Sequence, residues 1–475
     1  MPTYLITYWD TEDYISPPRA GSDDIILTVA QAARKAGLSA CFCIHGEKVR
    51  SLVGRGRSDV IREIARHHDP SLHYNYGSIH PTTCELMTAA GWQDGVDVAL
   101  SREAPGFRCL ENAFGRCTAL TRHGTSFAAQ IVRACALEGK AFWDSLVRVP
   151  ESPVYWFCDA LCFNSAVNCS LDTAYRDDAE FDAGIARVAR GLRDAAKSGE
   201  LLASFFGHPH RTVCDGFSDV PYYGGRNPLV EEIRPPAPVT DDERARVRVN
   251  LARAFVALRK LKSLQPVTIA DLVDRFGSRP AFFTRREVTA LARKVVDVGG
   301  PAYTDTMTAG EGLLALAGSL VLRRGRGRLP EHVLRRPVLG PLTVPTGAGA
   351  GRTLAWEDAV TLARLLLAFA SSTGHLPAVV EGWEIGLGPA TVAFAEAYLA
   401  AGKTSPPPVT VREGAPWPAV AEDMPSTLAS IPGWPCHDPA MDVSRIVRYC
   451  QLMSWTIVPA SAAPSTGAPG RARRV

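Results

Sequence analysis

The sequence has no Cys-x-x-Cys pair among its 12 cysteines, no apolar run as long as a membrane span, and no excess of either charge. Without the paired spacing a structural zinc site is not expected. The cysteines read instead as reduced, buried small hydrophobes of a cytoplasmic protein. The longest apolar runs, around 313–322 and 362–370, fall short of the roughly 20 residues that cross a bilayer, so no membrane partner is expected. Lys and Arg number 52 against 49 acidic residues, a net charge of +3 that gives no electrostatic case for nucleic acid. The one basic cluster, Arg471, Arg473 and Arg474, ends a Pro/Ser/Gly/Ala tail, 459–475, expected to be disordered. At the other end no basic segment followed by an apolar run is present, and no secretory signal is read.

What is present is a chain of 475 residues, 46% hydrophobic, long enough for more than one domain. Tyr4 to Trp9 reads as a buried strand that delivers Asp10, Glu12 and Asp13 at its C-terminal end. A helix follows, with Ile25, Ile26, Val29, Ala32 and Ala33 on one face and Gly37 after it. Then come a second strand, Ser39 to His45, and a helix around Val60 to His67. Strands and helices alternating at this period argue for an α/β fold with parallel strands, whose working residues collect at the carboxyl ends of the strands.

The stretch from Leu72 to Pro81 presents His73 and His80. On a helix two residues seven apart would lie roughly 10 Å apart along the axis, too far to share an ion that each touches at about 2 Å. Gly77 permits a positive φ and Pro81 biases His80 toward extended geometry, so a loop is expected there. Arg108, Arg116 and Arg122 fall in loop-like sequence. Phe157 to Ala166 reads as a strand, Phe181 to Ala196 as a helix, and Leu201 to Gly207 as a strand ending in His208. His210 is read as a surface residue. The box Thr240-x-x-Glu243 opens a helix with Val247, Leu251, Phe255 and Leu258 on one face.

Around Gly277 to Pro280 the character changes to helical, Leu- and Ala-rich segments. Residues 309–341 and 355–389 share a helix, then Gly-x-Leu-Pro-x-x-Val, then Leu-Gly-Pro, about 47 residues apart. Two helical modules packed on each other are expected. They are poor in catalytic groups, and the module is read as one that binds, spaces or stabilises, a protein or glycan being the partner expected where it binds. The expected division is 1–278, 279–458 and the tail 459–475.

One carboxylate and two imidazoles suffice to hold a catalytic Zn²⁺ or other divalent ion. A second carboxylate can take a proton from water, and an imidazole can protonate an amine leaving group. Asp10, then Glu12 or Asp13, His73, His80 and His208 supply such a set for metal-assisted hydrolysis of an acyl bond. The segments Asp10 to Asp13, Ala40 to Leu52, His73 to Pro81, Thr121 to Ser126 and Ser204 to Pro209 resemble, in order, the motifs of the polysaccharide deacetylases of the NodB homology fold. The resemblance covers roughly residues 1–275. It implies a distorted (β/α)7 barrel, which here precedes the mainly α-helical domain with a tandem repeat read above. It further implies Asp10 as general base, Glu12 or Asp13 with His73 and His80 as metal ligands, Arg122 orienting the base, and His208 as general acid. The implied substrate is a carbohydrate or small amide. The alternative reading is a catalytically degenerate binding or assembly protein on the same fold.

Overall fold

The strand Thr3–Thr11 (β1) pairs with three other strands of the sheet. Its nine residues are all buried, because the chain alternates apolar groups toward both faces. A computed structural model describes residues 2–165 and 167–462. Beside β1 lie Cys41–Ile44 (β2), Asp69–Leu72 (β3), Ala119–Thr121 (β4) and Ala141–Trp143 (β5), each parallel to its neighbour. The hairpin Val154–Phe157 (β6) and Ala160–Phe163 (β7) extends that side. On the other side Leu202–Gly207 (β9) joins β1 and Val167–Ser170 (β8) joins β9, again in parallel. Leu264–Val267 (β10) pairs with the first half of β1.

The sheet curls. Tyr8 on β1 and Trp143 on β5 bring their rings to 5.6 Å although β2, β3 and β4 stand between them in the strand order. Inside the curl, Tyr4, Ile6, Tyr8, Cys41, Cys43, Ala119 and Trp143 form one cluster. The alternate residues Leu5, Trp9, Phe42, Ile44 and Leu72 face a surrounding layer of helices. The architecture is thus mixed α/β, a half-barrel of curled, largely parallel sheet. This agrees with the α/β fold and distorted barrel expected from sequence, with the barrel left open: β8 and a final strand, Val458–Pro459, remain as two edges of the described sheet.

Two local expectations change. Arg108 lies within a helix, Trp92–Phe114, not in a loop. Gly95, Pro105 and Gly106 are poor helix formers, but the helix buries Val96, Ala99, Phe107 and Leu110, which outweighs their cost. Gly106 is needed there, since a Cβ would stand 2.9 Å from both Asn75 and Leu72. The single strand expected from Phe157 to Ala166 is instead the turn of the β6–β7 hairpin at Cys158 and Asp159, both at positive φ, followed by β7 to Phe163; Ala166 lies outside the described residues. The helix opened by Thr240 carries its capping box and buries the residues expected of it.

Beyond residue 279 the helices Arg285–Val298, Ala309–Arg326, Trp356–Thr373 and Leu387–Ala400 enclose a core of their own. Segments 309–341 and 355–389 each contain a long helix and a short strand, His332–Leu334 and Val379–Val380. Residues 419–460 then leave this body and return to the sheet. Val420, Met424, Leu428, Ile431, Ile446 and Met453 enter the first core, and Val458–Pro459 pairs with β6. The expected unit 279–458 is therefore shared between two cores. Of the tail, 463–475, including its arginines, lies outside the described residues. Among the described residues no helix is long and apolar enough to cross a membrane.

Candidate metal and hydrolytic site

Strand register assembles the site. Thr11 pairs with Ile44, Ile44 with Leu72, and Leu72 with Leu120, one row across four parallel strands. The residues one step beyond that row are Glu12, His45, His73 and Thr121. Period-two alternation carries the inner face past the strand ends, so Tyr8, Asp10 and Glu12 share it, as do Cys43 and His45, Thr121 and His123, and Phe206 and His208. Asp13 falls on the opposite face. There its Oδ1 accepts from the Ser16 amide at 2.9 Å, and His210 and Lys48 offset the burial that would raise its pKa, holding it low.

Glu12 Oε1 lies 3.3 Å from His73 Nε2 and 3.4 Å from His123 Nε2, all three residues buried. The other nitrogen of His73 is 2.8 Å from Thr121 Oγ1, whose hydroxyl donates to the Leu72 carbonyl at 3.0 Å. The network assigns Nδ1–H as donor to Thr121 and points Nε2 at a carboxylate oxygen. With the ring neutral two acceptors would face each other, an arrangement that a cation between them relieves. Asp10 Oδ1, Glu12 Oε2, His123 Nδ1 and both ring nitrogens of His45 are buried without a partner. Each such group costs roughly 1–3 kcal/mol of desolvation, so their clustering fits a site for a divalent ion.

Asp10 stands across the site, with Oδ1 4.0 Å from His73 Nε2 and Oδ2 3.8 Å from His208 Nε2. Burial, aided by the Glu12 charge and opposed by His208, pushes its pKa up to about 7. For His208 burial acts downward. The Asp172 hydrogen bond, with the charges of Glu12, Asp172 and Asp10, outweighs it and raises the pKa to about 9. Asp172 binds His208 twice, to Nδ1 and to the backbone amide, each at 3.1 Å.

The remaining expected residues lie differently. His80 does not join the cluster: its Nδ1 is 2.8 Å from Glu85 and its Nε2 3.0 Å from the Tyr222 carbonyl. Gly77 takes φ +56 as anticipated, but the loop it turns carries His80 outward, where its backbone meets Asn227. The third converging donor is His123. Arg122 lines the cavity but is spent on Asp144 and the Gly124 carbonyl, not on Asp10. His210 is buried, not on the surface. His123 and His45 were legible in principle, since Ala119-x-Thr121-x-His123 and Cys41-x-Cys43-x-His45 each continue the inner face of a strand.

Over the site lies a cavity of about 370 Å³ walled by Tyr8, Phe206, Phe217, Tyr223 and Trp434. Trp434 belongs to the returning C-terminal segment, and its ring is 4.5 Å from that of His123. Gly124 makes room for it, because a Cβ there would lie 2.2 Å from the indole. The Gly224 and Gly225 amides donate to the Pro435 and Cys436 carbonyls, and Thr125 donates to Ile431, so this roof is anchored on both sides. A second cavity of about 600 Å³ shares Arg122, Asp144 and Asn168 with the first and is lined by Ser145, Asn164, Thr427 and Ser430.

Fold and site together define a curled α/β sheet with a histidine and carboxylate cluster at its strand ends. No family model matches the sequence, and no curated protein matches it. Solved structures similar to it are polysaccharide deacetylases of carbohydrate esterase family 4. One is a mutant of a family 4 pseudoenzyme with restored activity, 12% identical over 57% of this chain and 68% of that one, TM-score 0.32. Another, from Mycobacterium smegmatis, is named as a candidate polysaccharide deacetylase: 11% identical, 57% and 89% covered, TM-score 0.34. A family 4 carbohydrate esterase from Streptomyces lividans in complex with acetate is 12% identical, with 56% and 91% covered and TM-score 0.29. This chain's own residues, not these likenesses, carry the chemistry.

Proposed function

We propose that the protein is a metal-dependent hydrolase of the polysaccharide deacetylase type, cleaving the C–N bond of an N-acylated amino sugar or related amide. The observation that carries this is the convergence of His73 Nε2 and His123 Nε2 on one Glu12 oxygen, with Asp10 and His208 facing them. Glu12, His73 and His123 would hold the ion, zinc or another divalent metal. When bound, it supplies Lewis acidity to a water and to the acyl oxygen.

Asp10 takes the proton of the attacking water on Oδ1, the oxygen left without a hydrogen-bond partner. His208 gives a proton from Nε2 to the departing nitrogen. Asp172 holds the Nδ1–H side of the ring and keeps the imidazole charged until then. The new carboxylate and the new amine account for the elements of water. Aromatic walls offer faces to a sugar ring, and the second cavity, rich in hydroxyl and amide groups, suits a hydroxyl-bearing extension of the substrate. Twelve free cysteines suit a reducing, cytoplasmic setting. The helical body would serve a protein or glycan partner.

The test is metal analysis of the purified protein beside His73→Ala, with acetate release from N-acetylated sugars. Loss of metal and of acetate release together supports the reading, and equal metal content in both proteins removes it. Metal binding without hydrolysis of any amide would favour the degenerate binding protein.

A further inference from the structure

His45 has no part in the reaction just proposed, yet it sits at the centre of the cluster. It is 2% exposed, and neither ring nitrogen has a partner. Cys41 and Cys43 precede it on the inner face of β2, so the same alternation that orients Glu12 and His123 turns its ring inward. In the strand row it stands between Glu12 on β1 and His73 on β3. Gly77 backs the ring: at φ +56, a Cβ there would be 2.5 Å from His45 Cε1, so the loop backbone closes directly on the imidazole.

The ring spacings fit a shared ion. A ligating nitrogen at about 2.1 Å puts its ring centroid roughly 3.2 Å from the metal, and angles of about 90–110° then separate centroids by about 4.5–5.2 Å. The three observed separations are 4.5 Å for His45–His123, 4.7 Å for His73–His123 and 5.1 Å for His45–His73. One donor atom from each of Glu12, His45, His73 and His123 lies within 4.8 Å of every other. His45 does not line the cavity, whereas Glu12, His73 and His123 do, so it approaches from the side away from substrate.

Resting on the metal-centre reading above, we propose that His45 is a third imidazole ligand of the same ion. The donor set is then one carboxylate and three histidines, one from each of four successive strand ends. Four protein donors with a substrate-facing position make the ion at least five-coordinate. Cobalt, nickel, iron or an expanded zinc accepts that number, and a closed tetrahedral site does not.

X-ray absorption of the wild-type protein loaded with Co(II) counts the imidazoles, with three expected. In His45→Ala, Co(II) affinity should fall more than ~100-fold, beyond the ~10–100-fold that loss of an outer-shell partner costs. Its visible d–d spectrum should change, with added imidazole restoring it. Two imidazoles in the wild-type protein overturn the assignment, as does a His45→Ala variant with unchanged affinity and spectrum. In both cases a His73→Ala variant that loses the metal leaves the metal centre itself standing. A wild-type protein that takes up no Co(II) overturns both readings. Should His45→Ala fail to fold, the wild-type count decides alone.

Discussion

The rim of the curled sheet and the helical body at 279–418 treat buried polar groups in opposite ways. In the helical body Glu311, 2% exposed, is bound by Arg279 at 2.5 Å and Arg335 at 2.7 Å and caps its own helix with Thr308. Among the described residues of that body no buried side-chain nitrogen or oxygen lacks a partner. At the sheet rim Asp10, Glu12, His45 and His123 each carry a buried polar atom without a hydrogen-bond partner. Buried groups are normally satisfied because an unmade hydrogen bond is expensive. A region that satisfies them all is built to hold shape, and a cluster that leaves carboxylates and imidazoles open keeps them for chemistry.

That contrast can be broken by mutation. At the rim, Asp10→Asn should lower acetate release by about 10²–10⁴-fold, the usual worth of a positioned base, while metal content and unfolding midpoint stay near wild type. In the helical body, Glu311→Ala strands two arginines and should cost about 3–5 kcal/mol in denaturant unfolding, with kcat/KM of the folded fraction unchanged. If instead Asp10→Asn destabilises and Glu311→Ala inactivates, the division of labour is wrong.

Finer effects sharpen it. The raised His208 pKa means that its charge is present below about 9 and lost above, so kcat/KM should fall as pH rises through about 9. Asp172→Asn removes a hydrogen bond and a charge that favour the imidazolium. The alkaline limb should then move down by about one to two pH units, read from a pH–rate profile. His80→Ala should leave metal content and turnover unchanged and cost about 1 kcal/mol of stability, through lost contacts with Glu85 and Tyr222. A His80→Ala protein without metal would restore that histidine to the ligand set.

Particular residues show where the sequence was legible. β1, with acids at its end, follows from the run Tyr4 to Trp9 and the polar residues after it. The loop at Gly77 and the box Thr240-x-x-Glu243 rest on local backbone rules and are found as expected. The pairing of His73 with His80 came from closeness in sequence. The structure gathers His73 with His123, fifty residues away, because β3 and β4 are neighbours in the sheet. Trp434 was out of reach for the same reason, since nothing near it in the chain announces that residues 419–460 return to the sheet and roof the cavity.

By itself the sequence determined the alternation of faces along each strand. A period of two is a property of the local backbone; the choice between Glu12 and Asp13, left open in the sequence, is made only by the structure, where the strand alternation continues past Thr11 and puts Asp13 on the other face. Only the tertiary structure decided which strand ends stand side by side, because register and strand order are set by packing between segments far apart in the chain. A metal needs its donors a few ångströms apart, and that distance belongs to the sheet, not to any one stretch of sequence.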